Sequence, residues 1–190
     1  MTDGHDEHHH HQVDWLTALE QERHEAKHHY LHRFDWRGEP IPEDFDGPRF
    51  YEPDPRWQLD ARLDRTAPGT GEQVTLATST GKLREMAVAG QLAFLTPDGE
   101  RQLTAYRSVP SEEDEPLFVP FQDATSGTET YGAGRYLDVP LGDDDTALLD
   151  FNLAYNPSCA YSPRYDCPYP PKGNRLDIAV RAGEMVPFDH

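Results

Sequence analysis

Residues 83–109 read LREMAVAGQLAFLTPDGERQLTAYRSV, two runs of alternating apolar and polar side chains separated by the turn signal Pro97-Asp98-Gly99. Alternation with period two marks a strand with one buried face, and Asp-Gly suits the tight turn between such runs. The same texture continues outward in both directions. Upstream lie Trp57, Leu59, Ala61 and Leu63, each next to a polar residue, and EQVTLATS at 72–79. Downstream lie PLFVPFQDA (116–124), TYGAGRYLDV (130–139), ALLDFNLAY (147–155) and RLDIAVRAG (175–183), with LGDDDT (141–146) as a further turn. No helical crossover pattern separates the runs, which argues against a parallel α/β fold. Seven or eight short strands predict a mainly β protein, with a single antiparallel barrel-like or sandwich domain over residues 56–190.

Before this domain the composition changes twice. Residues 12–34, QVDWLTALEQERHEAKHHYLHRF, lack Gly and Pro, and their apolar positions recur at helical spacing, which predicts one N-terminal α-helix with Asp14 as its N-cap. The preceding segment, 1–11, is polar and rich in His and acid, and reads as a disordered tail. Residues 35–55 are crowded with Pro, Gly and acid, so the helix must stop and a connector follow.

The charge balance sets limits on partners. Seventeen basic against 35 acidic residues give 17 − 35 = −18, which disfavours nucleic acid and anionic membranes, since both are bound through clustered Lys and Arg. Lysine is confined to Lys27, Lys82 and Lys172. Abundant acid with little lysine fits the halophilic cytosol of a salt-accumulating microbe, where screening shortens electrostatic repulsion. With no apolar signal segment and no run long enough to span a bilayer, the expected location is cytoplasmic.

Of the ten histidines, all but His190 lie between positions 5 and 32. The β domain therefore lacks an internal imidazole for a Ser-His or Cys-His pair. His24, His28 and His32 recur at i, i+4, i+8, so neighbours share a helix face as candidate metal ligands, although a solvated polar face is the commoner origin of such spacing. Cys159 and Cys167 enclose seven residues in a Pro-rich stretch. That spacing suits either two buried thiols or a disulfide, the latter contributing about 2.5 kcal/mol by chain entropy.

A polar cluster centres on Arg135. Alternation aligns it with Tyr131, and places Asp150 and Asn152 in a second polar row. If both rows face inward they line a pocket for a small polar ligand; if outward, the strands are simply amphipathic. An inward guanidinium requires a carboxylate, Asp150 or Asp123, and Tyr155 or Tyr161 on the cysteine loop is placed to cover the pair.

Three blocks carry a family resemblance: FQDATSGTETYGAGRYLD (121–138), LDFNLAYNPSCAYSPRYDCPYPP (149–171) and NRLDIAVRAGE (174–184). Together they resemble the C-terminal signature of the domain-of-unknown-function family 1684, over roughly residues 50–185. Members of that family also carry a β-rich region similar to a forkhead-associated domain. Here the chain passes almost directly from the helix to RFYEPDPRW at 49–57, which implies no counterpart of that region. The resemblance implies a fold boundary and no reaction or cofactor.

Three functions follow from these residues. The favoured one is a small-molecule binding module with a polar pocket. The alternatives are a hydrolase using paired carboxylates among Asp123, Glu129, Asp150 and Glu184, or a protein-interaction scaffold built on the acidic connector.

Overall fold

A computed structural model describes residues 4–112 and 115–188, with residues 4–13 described by their backbone alone. The chain divides into two compact units, Met1–Arg49 and Phe50–His190. In the first, helix α1 spans Gly4–His32. It begins upstream of Gln12 and takes in residues 4–11 of the expected tail, while residues 1–3 lie outside the described residues. Asp14 consequently sits inside α1 and cannot act as its N-cap. Beyond the helix, Trp36 packs edge-on against Phe34 and Phe45, each at 5.3 Å between ring centroids, and Lys27 meets Asp46 at 3.4 Å. No helix among the described residues is long and apolar enough to cross a membrane.

The second unit is an antiparallel sheet curled into a half-barrel. Its strands are β1 (Gln58–Asp64), β2 (Gln73–Ala77), β3 (Leu83–Thr96), β4 (Gly99–Ser108), β5 (Leu117–Phe121), β6 (Arg135–Val139) and β7 (Thr146–Asp150). The order is β6-β5-β4-β3-β1-β7, with β2 also on β3. The two long runs around Asp98-Gly99 form the central hairpin. β3 has 14 residues and serves two partners end to end, β2 along Leu83–Ala87 and β1 along Gln91–Phe94. A register shift between Val88 and Gly90 falls between those stretches, and such bulges sharpen twist and curl.

The alternation sorts the two faces. Leu63, Leu92 and Leu103 lie in register across β1, β3 and β4 and are buried to 3% or less. With Leu117, Val119, Leu137, Val139 and Leu149 they form the main core inside the curl. Burying each such side chain contributes about 1.5–3 kcal/mol. On the opposite face a smaller cluster gathers Leu76, Met86 and Tyr106 with Phe118 packed against it.

The last alternating run, 175–183, does not become a strand. It buries Leu176, Ile178, Val180 and Ala182 as a strand would, yet in place of a continuous sheet partner, part of its backbone is paired with an arginine. The Arg135 guanidinium accounts for the carbonyls of Val180, Ala182 and Glu184. Period-two burial and ladder pairing are separate properties, and here the first runs along the segment while pairing is limited to its start, where Arg175 bridges Gln122.

Candidate functional site

Arg135 opens β6 and points into the core, 1% exposed. Gly134 makes the corner before it: its φ is +98°, and a Cβ there would meet the Phe121 carbonyl oxygen at 2.5 Å, so only glycine fits. Strand geometry begins at residue 135, hence Tyr131 does not share the strand face expected of it; Gly134 N–H instead closes a turn onto the Tyr131 carbonyl at 3.0 Å.

Both terminal nitrogens of the guanidinium are held, while Nε is buried with no hydrogen-bond partner among the described residues. Nη2 donates to Asp123 Oδ2 at 2.7 Å and to Val180 O at 2.9 Å, while Nη1 donates to Glu184 O at 3.1 Å and to Ala182 O. The charge sits 5.3 Å from the Phe121 ring centroid. Asp123 Oδ1 accepts Thr125 N–H at 2.6 Å and the Thr125 hydroxyl, which in turn contacts Thr130 at 2.9 Å. Of the two carboxylates expected to pair with Arg135, the structure uses Asp123.

Glu184 adjoins this pair through its own carbonyl. Its side chain is 3% exposed, and Oε2 accepts Asn156 N–H at 2.7 Å and the Tyr161 hydroxyl at 3.0 Å. Burial raises its carboxyl to about 7, against the lowering influence of Asn156, Tyr161 and Arg135. Gly183, at φ +77°, lets the backbone pass the carbonyls of Ala154 and Phe151, which a Cβ would meet at 2.5 and 2.7 Å. Tyr161, expected as a lid over Arg135 and its carboxylate, donates instead to Glu184. Tyr155 turns elsewhere, donating to Asp138 Oδ2 at 2.9 Å.

Asp150 and Asn152 belong to a separate network. β7 ends at Asp150, whose Oδ1 accepts Asn152 N–H at 3.0 Å and caps the 3-10 turn Phe151–Leu153. The period-two reading of ALLDFNLAY fails at that cap, because an Asp that binds the backbone two residues on ends a strand. Asn152 bonds both backbone groups of Asp54, at 2.9 Å each, and Gln58 donates to Asp150 Oδ2 at 2.9 Å. These side chains fasten the start of β1 to the end of β7 and do not meet Arg135.

The cysteines are free and buried. Cys159 N–H donates to Cys167 Sγ at 3.2 Å, and Tyr131 OH lies 3.9 Å from Cys159 Sγ. Hydrogen bonding from Cys167, then from Tyr131 and Ser79, lowers the Cys159 thiol to about 7, while the same coupling and burial raise Cys167. On α1, His24, His28 and His32 are exposed, and the His28 and His32 rings lie 4.8 Å apart. Among the described residues no three His, Cys, Asp or Glu side chains converge to hold a metal ion. A rise of about 1.5 Å per residue separates His24 from His32 by about 12 Å, too far for one ion.

The outer face of the sheet offers what the Arg135 centre does not, an open concavity. A groove of about 990 Å³ crosses β2 to β6, lined by Thr75, Leu83, Arg84, Glu85, Met86, Ser108, Val109, Glu115, Pro116, Phe118 and Asp138, at the upper end of the usual size for ligand sites. Registers Met86↔Ser108 and Phe118↔Asp138 bring these residues together. Asp138 is held above the usual carboxylate range by desolvation, and the Glu115 charge adds to the shift while the Tyr155 hydrogen bond opposes it. Sequence reasoning missed Glu115 and Asp138. The first lies in the acidic run SEEDEP, which reads as solvated loop, and the second is one polar position in an alternating strand; only the register makes them neighbours.

Comparison with known proteins adds three findings. The family described as "Protein of unknown function (DUF1684)" matches residues 43–185. A solution NMR structure of an uncharacterized protein from Haloarcula marismortui is 36% identical, with a TM-score of 0.71 over 94% of this chain and 98% of that one. No curated protein matches the chain.

Proposed function

The chain belongs to the DUF1684 family, whose description carries no reaction or ligand, and we propose from the geometry that it is a small-molecule binding module whose site is the outer groove. One observation carries this reading: the groove is open and joins an apolar floor, Met86 and Phe118, to the carboxylates of Glu115 and Asp138. That mixture of hydrophobic lining and a few polar groups is what ligand sites share. The Arg135 centre is the framework that holds the sheet, since its Nη1 and Nη2 donors are taken up by Asp123 and backbone carbonyls and only the buried Nε is left without a partner among the described residues. Tyr155 contributes from the groove's rim by orienting Asp138. The test is an amide NMR titration of the full chain with a panel of small amines, alcohols, carboxylates and sugars. Perturbations should collect at Met86, Ser108, Phe118 and Asp138; a panel that moves none of these, or moves residues around Arg135 instead, overturns the assignment.

A second reading has its own observation. Two carboxylates on one groove, with Asp138 raised above its ordinary value, are the minimal parts of a general acid–base pair. A hydrolase should release nitrophenol from a nitrophenyl ester or glycoside and lose that activity in Asp138→Asn. Activity unchanged in this variant removes the groove from the chemistry.

The habitat reading is cytoplasmic and salt-rich, without nucleic acid or anionic membrane as partner. It is supported by the net charge of −18 and by the similarity to a Haloarcula marismortui protein. On this reading the melting temperature rises from low salt to molar KCl as repulsion is screened; a flat or falling profile counts against it.

A further inference from the structure

We infer that the groove takes a small cationic amine with an apolar arm, its ammonium held by Glu115 and Asp138. This rests on the groove being the binding site. Glu115 is fixed at two points: its carbonyl accepts Arg107 Nη1 at 2.8 Å, and its Oε1 accepts the Ser108 hydroxyl. Its other oxygen, Oε2, is buried with no hydrogen-bond partner among the described residues. A positioned carboxylate oxygen shut from water and left without a donor is costly, and an ammonium is the donor that also neutralises its charge.

Asp138 supplies the second acceptor. Tyr155 holds its Oδ2 at 2.9 Å, and its carboxyl is disfavoured in charged form first by desolvation and then by Glu115. A cation placed beside Asp138 relieves the penalty that burial and the Glu115 charge place on its ionised form. Arg84 and Glu85 also line the groove and offset one another, leaving the two carboxylates to set its sign. The floor decides what kind of cation fits. Met86 is 5% exposed in a cluster with Leu76 and Tyr106, Phe118 packs against it, and Leu83 is 68% exposed at the groove. An apolar arm covers that surface, whereas a hydrated divalent ion would leave it bare. Nor does any trio of metal-binding side chains converge among the described residues.

Calorimetric titration of the full chain with hexylamine, hexan-1-ol and hexanoate, at one ionic strength, tests the proposal. Hexylamine should bind at least about tenfold more tightly than hexan-1-ol, the loss expected when a charged hydrogen bond goes. Glu115→Gln and Asp138→Asn should each remove that advantage while leaving hexan-1-ol binding unchanged and without lowering the melting temperature. Asp98→Asn, an exposed acid on the β3–β4 turn, should leave hexylamine binding unchanged. Equal binding of amine and alcohol overturns the amine assignment and leaves the groove reading standing. No binding by any of the three, with no amide shift at Phe118, defeats both. Amine binding that Asp98→Asn weakens as much as Glu115→Gln is diffuse attraction to an acidic surface, and also overturns the assignment.

Discussion

Arg135 and Asp138 stand on the same five-residue strand and meet opposite fates. Arg135 faces inward, 1% exposed, with Asp123 and three backbone carbonyls around it. Asp138 faces outward into a groove of about 990 Å³, beside a carboxylate oxygen that nothing in the described residues satisfies. The inner charge is matched by a carboxylate and three carbonyls at Nη1 and Nη2, with Nε alone left without a partner among the described residues, and so acts as structure. The outer charges are left under-matched, which is the ground of the proposal that the groove takes a cationic ligand. A buried ion pair and a binding site therefore differ less in residue type than in whether the donors and acceptors close on themselves.

The sharpest way to break this contrast is to open the inner centre. Arg135→Ala strands Asp123 in the core and orphans the carbonyls of Val180, Ala182 and Glu184, so urea unfolding should register a loss of about 3–5 kcal/mol. Adding Asp123→Asn should recover part of that loss. Adding Asp150→Asn should recover none, because Asp150 belongs to the β1–β7 junction. Equal rescue by the two would erase the separation between the networks.

Glu184 gives the next largest effect. Its folded value of about 7 against 4.5 in the unfolded chain means the folded state holds its proton more tightly. The contribution is fully present below pH 4.5 and is lost as pH rises to 7, amounting to about 3 kcal/mol. Glu184→Gln keeps an oxygen for Asn156 and Tyr161 and removes the titration. The variant should therefore gain about that much relative to the parent between pH 4 and pH 8. A difference that stays constant across this range would mean the carboxyl is already ionised in the fold.

The groove should give the smallest stability effect. Glu115→Gln and Asp138→Asn each remove a charge from a partly open surface and should shift stability by no more than about 0.5 kcal/mol. A loss above about 2 kcal/mol in either variant would make the groove acids structural, like Asp123.

Much of this molecule was legible in its residues. Alternation around Asp98-Gly99 predicted an antiparallel β fold with one N-terminal helix, because period-two burial is local and each strand states its own face. The pairing of Arg135 with Asp123 was among the alternatives the sequence offered. The choice between Asp123 and Asp150 was not, since it depends on where β7 ends, and that is decided by a side-chain cap at Asp150. Nor did alternation reveal that 175–183 gives two of its carbonyls, with that of Glu184 just beyond, to a guanidinium instead of forming a ladder strand. The groove lay furthest from view. Glu115 and Asp138 become neighbours only through the pairing of β5 with β6, and the vacancy at Glu115 Oε2 exists only once Ser108 and Arg107 have fixed its other end. Periodicity reports which way a side chain faces; register and packing across strands decide what it meets there.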